Sequence, residues 1–91
     1  MANPIENYVI TSHATMEMTR RNIGSEIVEK VLAAPNQRES VRAGRDVLQS
    51  KIEIGEKNYL VRVFVDVDRT PAEVVTVYRT SKIEKHWRLE P

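Results

Sequence analysis

The stretch 75–87, "VTVYRTSKIEKHW", places Tyr78, Arg79, Lys82, Lys85 and His86 within nine positions. These are the types that phosphate chemistry requires. A guanidinium offers phosphate oxygens a bidentate fork, an ammonium adds a point charge, and a phenol or imidazole carries a proton. From 79 to 88 there are four Lys or Arg against one Glu, and the same run also suits a solvated helix face. Arg62 lies farther back, on a strand face between Leu60 and Phe64, where a guanidinium must keep partners or water. An ion pair with Asp66 or Glu73 and an anion-binding role are both open to it. His13 can exchange a proton near neutral pH, or can merely neighbour a helix cap at Thr11.

Composition narrows the chemistry. Ninety-one residues, 41% of them hydrophobic, make one small domain spanning 1–91 with a single core. With no cysteine, disulfides, thiolate catalysis and cysteine-type zinc sites are excluded. Two histidines 73 positions apart, with no HExxH and no clustered carboxylates, give no ligand set by spacing, and a metal stays open only if the fold brings His13 and His86 together. No metal or cofactor is therefore expected. No apolar run approaches the roughly 18 residues of a membrane span, and "MANPIENYVI" lacks the basic start of a signal peptide. The expected location is the cytoplasm, with no membrane partner. A net charge of +1 leaves any phosphate affinity to local clustering.

The elements that must position these residues follow from periodicity. "YVITSHA" opens as a short strand that ends at Thr11 or Ser12, either of which can cap the next helix. "HATMEMTRRN" reads as that helix, with His13, Glu17 and Arg20 on one face. A break at Asn22 to Gly24 precedes a second helix whose stripe is Ile27, Val28, Val31 and Leu32, and Pro35 ends it. Beyond Asn36 the pattern alternates. "RESVR" is a weak strand and "DVLQSKIEI" a better one, with Leu48, Ser50, Ile52 and Ile54 on one side. "YLVRVFVDV" sends Tyr59, Val61, Val63, Val65 and Val67 under the helices and Leu60, Arg62, Phe64 and Asp66 to the opposite face. In "AEVVTVYRT" strict alternation groups Glu73, Val75, Val77 and Arg79 against Val74, Thr76, Tyr78 and Thr80. Ser81 and Glu84 form a capping-box pattern for a last helix pinned by Ile83 and Trp87.

The expected fold is α+β: an N-terminal strand, a helical hairpin, three to four mostly antiparallel strands and a C-terminal helix. That order resembles the RelE/ParE toxin superfamily. "SHATMEMTRRNIGSEIVEKVLAAP" is similar to the opening "HA...(R/K)...RG(I/V)...EV..VL..P" pattern of a small bacterial family of uncharacterised function in that group. "VVTVYRTSKIEKHW" is similar to the BrnT toxin ending, with Arg79, Thr80, Ser81, Lys82, Glu84 and Trp87 at the matching positions. Glycine departs from the pattern, standing in Asn22-Ile23-Gly24 rather than Arg-Gly; Asn can take the left-handed cap instead.

The resemblance implies a RelE-like single domain that is the toxin of a bacterial toxin-antitoxin pair and a metal-independent endoribonuclease. Its partners would be RNA, free or on the ribosome, and a cognate antitoxin protein. Cleavage by attack of a 2′-hydroxyl on the neighbouring phosphate needs a base, an acid and cations, but no nucleophilic side chain. Arg62 and Arg79 are the expected phosphate clamps and His13 the base or acid. Arg20, Lys51, Tyr78, Lys82 and His86 are expected to bind substrate. Each has a structural role open to it as well: Tyr78 as core, His86 as surface, Trp87 as core packing or a patch for the antitoxin. A different class of reading is a noncatalytic RelE-like module that only docks another protein. DNA binding has less support, since "SEIVEKVLAA" is acidic at its start and apolar along its face.

Overall fold

A computed structural model of the chain describes residues 2–89. It is an α+β domain in the order β1 (Tyr8–Ile10), α1 (Ser12–Arg20), α2 (Ser25–Ala33), β2 (Gln37–Arg42), β3 (Arg45–Ile54), β4 (Lys57–Asp66), β5 (Ala72–Thr80) and α3 (Ile83–His86). The strands form one mixed sheet, β1-β5-β4-β3-β2, in which only the β1–β5 pair is parallel.

Local chemistry sets the hairpin of helices. Thr11 is the N-cap of α1, its hydroxyl accepting from the Ala14 amide at 3.2 Å while donating to the Val74 carbonyl of β5 at 2.9 Å. The other end closes with Asn22 at φ 55°, the Asn22 amide on the Thr19 carbonyl and the Ile23 amide on the Met18 carbonyl. This is a Schellman stop in which Asn takes the left-handed position usually given to Gly. Ala14 and Met18 from α1, with Val28, Val31 and Leu32 from α2, are buried on Leu48, Val61, Val63, Val65, Val74 and Val77 of the sheet. Among the described residues only α3 and residues 87–89 lie across the opposite face, where Val47, Gln49 and Leu60 are buried while Arg62, Phe64, Thr76 and Tyr78 stay partly exposed; we call this the open face.

The alternation expected for β3 and β4 is present, and β5 departs from it. The β4–β5 register runs Phe64↔Thr76 and then Val65↔Val74, so Val75 is an extra residue in a bulge. The bulge puts Val74 and Val77 together in the core and turns Thr76, Tyr78 and Thr80 to the open face. Strict alternation would have put Tyr78 under the helices with Val74.

The start of α3 is a second departure. The Ser81–Glu84 capping box does not form: Lys82 occupies the N-cap position with no side-chain cap, and its amide is taken by the Thr80 hydroxyl at 3.1 Å. The helix is a single turn, closed by the Trp87 amide on the Ile83 carbonyl, and it begins one residue too late for Ser81 to stand at its N-cap.

Leu32→Ala should cost about 2–5 kcal/mol, because Leu32 is fully buried under the sheet and the cavity adds to the lost transfer energy. Met16→Ala, at a residue 68% exposed, should stay within about 0.5 kcal/mol. Urea unfolding of both variants checks this, and equal losses would place the core wrongly.

Candidate functional site

Cross-strand pairing builds the site. Gln37 pairs with Gln49, Gln49 with Arg62 and Arg62 with Tyr78. Paired residues point to the same face, so these four side chains form one row across β2, β3, β4 and β5 on the open side.

The row is wired end to end. Arg62 Nε donates to Gln49 Oε1 at 2.8 Å, and Arg62 Nη1 donates to the Tyr78 hydroxyl at 2.7 Å and to His86 Nδ1 of α3 at 3.1 Å. Gln49 Nε2 donates to Gln37 Oε1 at 2.8 Å and to the His86 carbonyl at 3.2 Å. Gln37 in turn holds the backbone of Arg88 from both sides, accepting from its amide at 3.0 Å and donating to its carbonyl at 2.6 Å. Three bonds to the backbone and a fourth to the His86 ring thus pin residues 86–88 over the row.

All of Arg62's partners are neutral. No carboxylate among the described residues pairs with it. The two acids the sequence offered are engaged elsewhere: Asp66 grips Arg45 at 2.6 and 3.2 Å, and Glu73 meets Arg69 at 3.3 Å. The Arg45 guanidinium holds the Asp66 carboxyl below its ordinary range, first through their hydrogen bond. Arg62 therefore brings a half-buried, uncompensated charge to the middle of the face.

Aromatic groups border that charge. The Arg62 guanidinium lies 5.3 Å from the Phe64 ring centre and 5.7 Å from that of Tyr78, and the two rings stack at 6.0 Å. Lys51 Nζ sits 4.0 Å above the Trp87 ring. Beside them a groove of ≈ 870 Å³ is lined by Asn36, Gln37, Arg38, Lys51, Trp87 and Arg88, among others. From the far side Arg21 reaches around the edge of β5. Its Nη1 bonds the Val77 carbonyl at 2.9 Å, and its guanidinium lies 6.0 Å from the Tyr78 ring centre.

The structure thus gathers Arg62, Tyr78, His86 and Lys51, and leaves the other expected residues apart. Arg79 pairs with Val61 on the helix side of the sheet, with its guanidinium 4.6 Å from the Tyr59 ring centre. His13 is exposed in the first turn of α1, and Arg20 is exposed and bonded to Glu17. Lys82 is exposed at the head of α3. Gln37, Gln49, Phe64 and Arg21 were missed as site residues. The signal for the glutamines was present, since Gln49 stands in β3 on the face opposite Leu48 and Ser50. Arg21 carried no such signal, because its reach depends on the Asn22 turn that stops α1.

The chemistry of His86 follows from this packing. Burial first, then the positive charges of Arg62 and Lys85, hold its imidazole below the ordinary 6.5. In its neutral form Nδ1 accepts from Arg62, which leaves the proton on Nε2. Among the described residues no group of three or more His, Asp or Glu is placed to hold a metal ion.

Lowering the pH should cost stability through His86. Its folded-state pKa lies below the unfolded value, so its contribution is whole above pH 6.5 and is lost as the pH falls from there toward the folded pKa. Urea midpoints on either side of pH 6.5 should fall less for His86→Gln than for wild type. Identical pH slopes would remove His86 from the packed cluster.

A family model described as a domain of unknown function, DUF4258, matches residues 10–79. No curated protein and no solved structure matches.

Proposed function

The chain belongs to the DUF4258 family, and we propose that its open sheet face binds single-stranded RNA and cleaves it without a metal. The observation that carries this is the Arg62 guanidinium, charged, half-buried and bonded only to neutral groups. An anion is the ligand that completes such a site. The aromatic rings beside it point to RNA among anions, because splayed bases stack on Phe, Tyr and Trp while cations follow the backbone.

In this reading Arg62 Nη2, which donates to none of the partners above, takes the phosphate oxygens. The 2′-oxygen forms a bond to phosphorus as the bond from phosphorus to the 5′-oxygen breaks. The products are a 2′,3′-cyclic phosphate and a free 5′-hydroxyl. His86 is neutral at pH 7 and can receive the 2′-hydroxyl proton once the phosphate draws Arg62 away from Nδ1. The Tyr78 hydroxyl accepts from Arg62 and still has its own proton to give to the leaving oxygen.

The element order supports a RelE-like layout, and with it a toxin restrained in the cytoplasm by an antitoxin protein. Arg62, Tyr78 and His86 take the roles first expected of His13, Arg62 and Arg79.

The test is induced expression in a bacterial host, with growth and total RNA integrity as readouts. Wild type should arrest growth and lose RNA. Arg62→Met, shown to be folded, should reduce cleavage by about 10²–10³, the scale of losing one charge-stabilising donor. Arg79→Ala and His13→Ala should stay near wild type. If no protein affects growth or RNA, the noncatalytic docking module replaces the nuclease. If Arg62→Met arrests growth as wild type does, the site is misplaced.

A further inference from the structure

Two cross-strand pairs between β3 and β4 treat the same type of side chain in opposite ways. Arg45 and Asp66 are paired, as are Gln49 and Arg62, four positions along each strand and on the same face. At the first pair an aspartate neutralises the guanidinium through two bonds. At the second a glutamine occupies the corresponding place. Gln49 is 1% exposed, so its neutrality is not a surface accident.

The orientation of its amide is fixed by its neighbours. Arg62 can only donate, so Gln49 must present Oε1 to it. The His86 carbonyl can only accept, so Gln49 must present Nε2 there. Glutamate has the same shape and would bond Arg62 more strongly, as Asp66 does with Arg45. It would also cancel the charge and set a carboxylate against the His86 carbonyl and Gln37 Oε1, two acceptors.

We infer that Gln49 sets the charge of the Arg62 site, orienting the guanidinium without neutralising it and thereby keeping the site selective for a phosphodiester anion. This rests on the RNA reading above. Gln49 acts through Arg62 and touches no substrate, so it is a positioning residue. Gln37 extends the same device by locking the Gln49 amide and tying it to the backbone of Arg88.

Two substitutions separate charge from packing. Gln49→Glu keeps the acceptor and removes the net charge; Gln49→Met keeps the charge and removes the acceptor. Binding of a fluorescent single-stranded oligoribonucleotide at low salt should weaken about 10- to 100-fold in Gln49→Glu, the scale of one charge-assisted contact. Gln49→Met should weaken it by less than about tenfold on the same scale. Equal losses in the two folded variants, or no loss in Gln49→Glu, overturn the inference.

The second readout does not depend on RNA. Arg62, Lys85 and Tyr78 face the His86 imidazole, and a carboxylate at 49 offsets the first. Titration by NMR should show the His86 pKa raised in Gln49→Glu and still lowered in Gln49→Met. A His86 unmoved by Gln49→Glu overturns the charge-setting role. If wild type binds no RNA while His86 responds as stated, the RNA reading alone fails. Should Gln49→Glu not fold, Phe64→Glu brings a carboxylate to the same guanidinium from a half-exposed position, and the same His86 response is expected.

Discussion

The open face is organised by one guanidinium that has no counter-charge among the described residues. Arg62 sits at the centre of a four-strand row, and every bond it makes ends on a neutral atom. Taking that charge partly out of water costs free energy that neutral hydrogen bonds repay only in part, at about 0.5–1.5 kcal/mol net for a typical bond and roughly 1.5–3 kcal/mol when one group is charged. The cost is held in place by the sheet, since β4 is bonded on both sides and cannot rotate Arg62 away. The hydrophobic face beneath, with Val61, Val63 and Val65 fully buried, fixes which residues of β4 must point the other way.

The rest of the site depends on that constraint through register. A side-chain period of two means that a slip of one residue would exchange the faces of a strand. In β5 the bulge at Val75 performs this exchange locally, after Val74 has already entered the core. It brings Tyr78 opposite Arg62 and aims the Val77 carbonyl at Arg21. The last segment then has a prepared surface to lie on. Helix α3 is a single turn with no side-chain cap and no buried residue, so helix propensity contributes little to it. The amides of Gln37 and Gln49 hold it instead, by the carbonyls of His86 and Arg88.

Elements dominated by local rules were legible in the sequence. The α1 cap at Thr11, the Asn22 stop, the apolar stripe of α2 and the two-faced pattern of β4 are each written in neighbouring residues. Arg62 could be singled out because an arginine flanked by Leu60 and Phe64 on its strand face demands a partner. What that partner is could not be read, because it is chosen by pairing between strands that lie far apart in sequence. Asp66, four residues away, was the local choice; Gln49 and Tyr78 were the registered ones. Arg79 was misplaced for a related reason. Its neighbour Tyr78 occupies the open face, so Arg79 must face the helix side, and only the bulge determines which of the two goes where. His13 looked suited to proton transfer by type alone, while the histidine that contacts the guanidinium stands at the other end of the chain.

The row is difficult to explain as a device for stability. Replacing buried polar networks by apolar side chains of similar volume is often neutral or stabilising by about 1–4 kcal/mol. Leu60 and Val47 on the same face are fully buried, so apolar residues are accommodated there. Among the described residues, the side chains that bond the backbone of the C-terminal segment are those of the two glutamines. Arg62 adds one bond to that segment, to the His86 ring, and orients Gln49, tasks that do not require a positive charge. In the proposed function, a guanidinium whose neutral partners orient it, with Asp66 and Glu73 engaged elsewhere and aromatic flanks, suits a ligand that carries both a negative charge and a flat face. A nucleotide carries both, and this is why the same row argues for RNA over a simple inorganic anion.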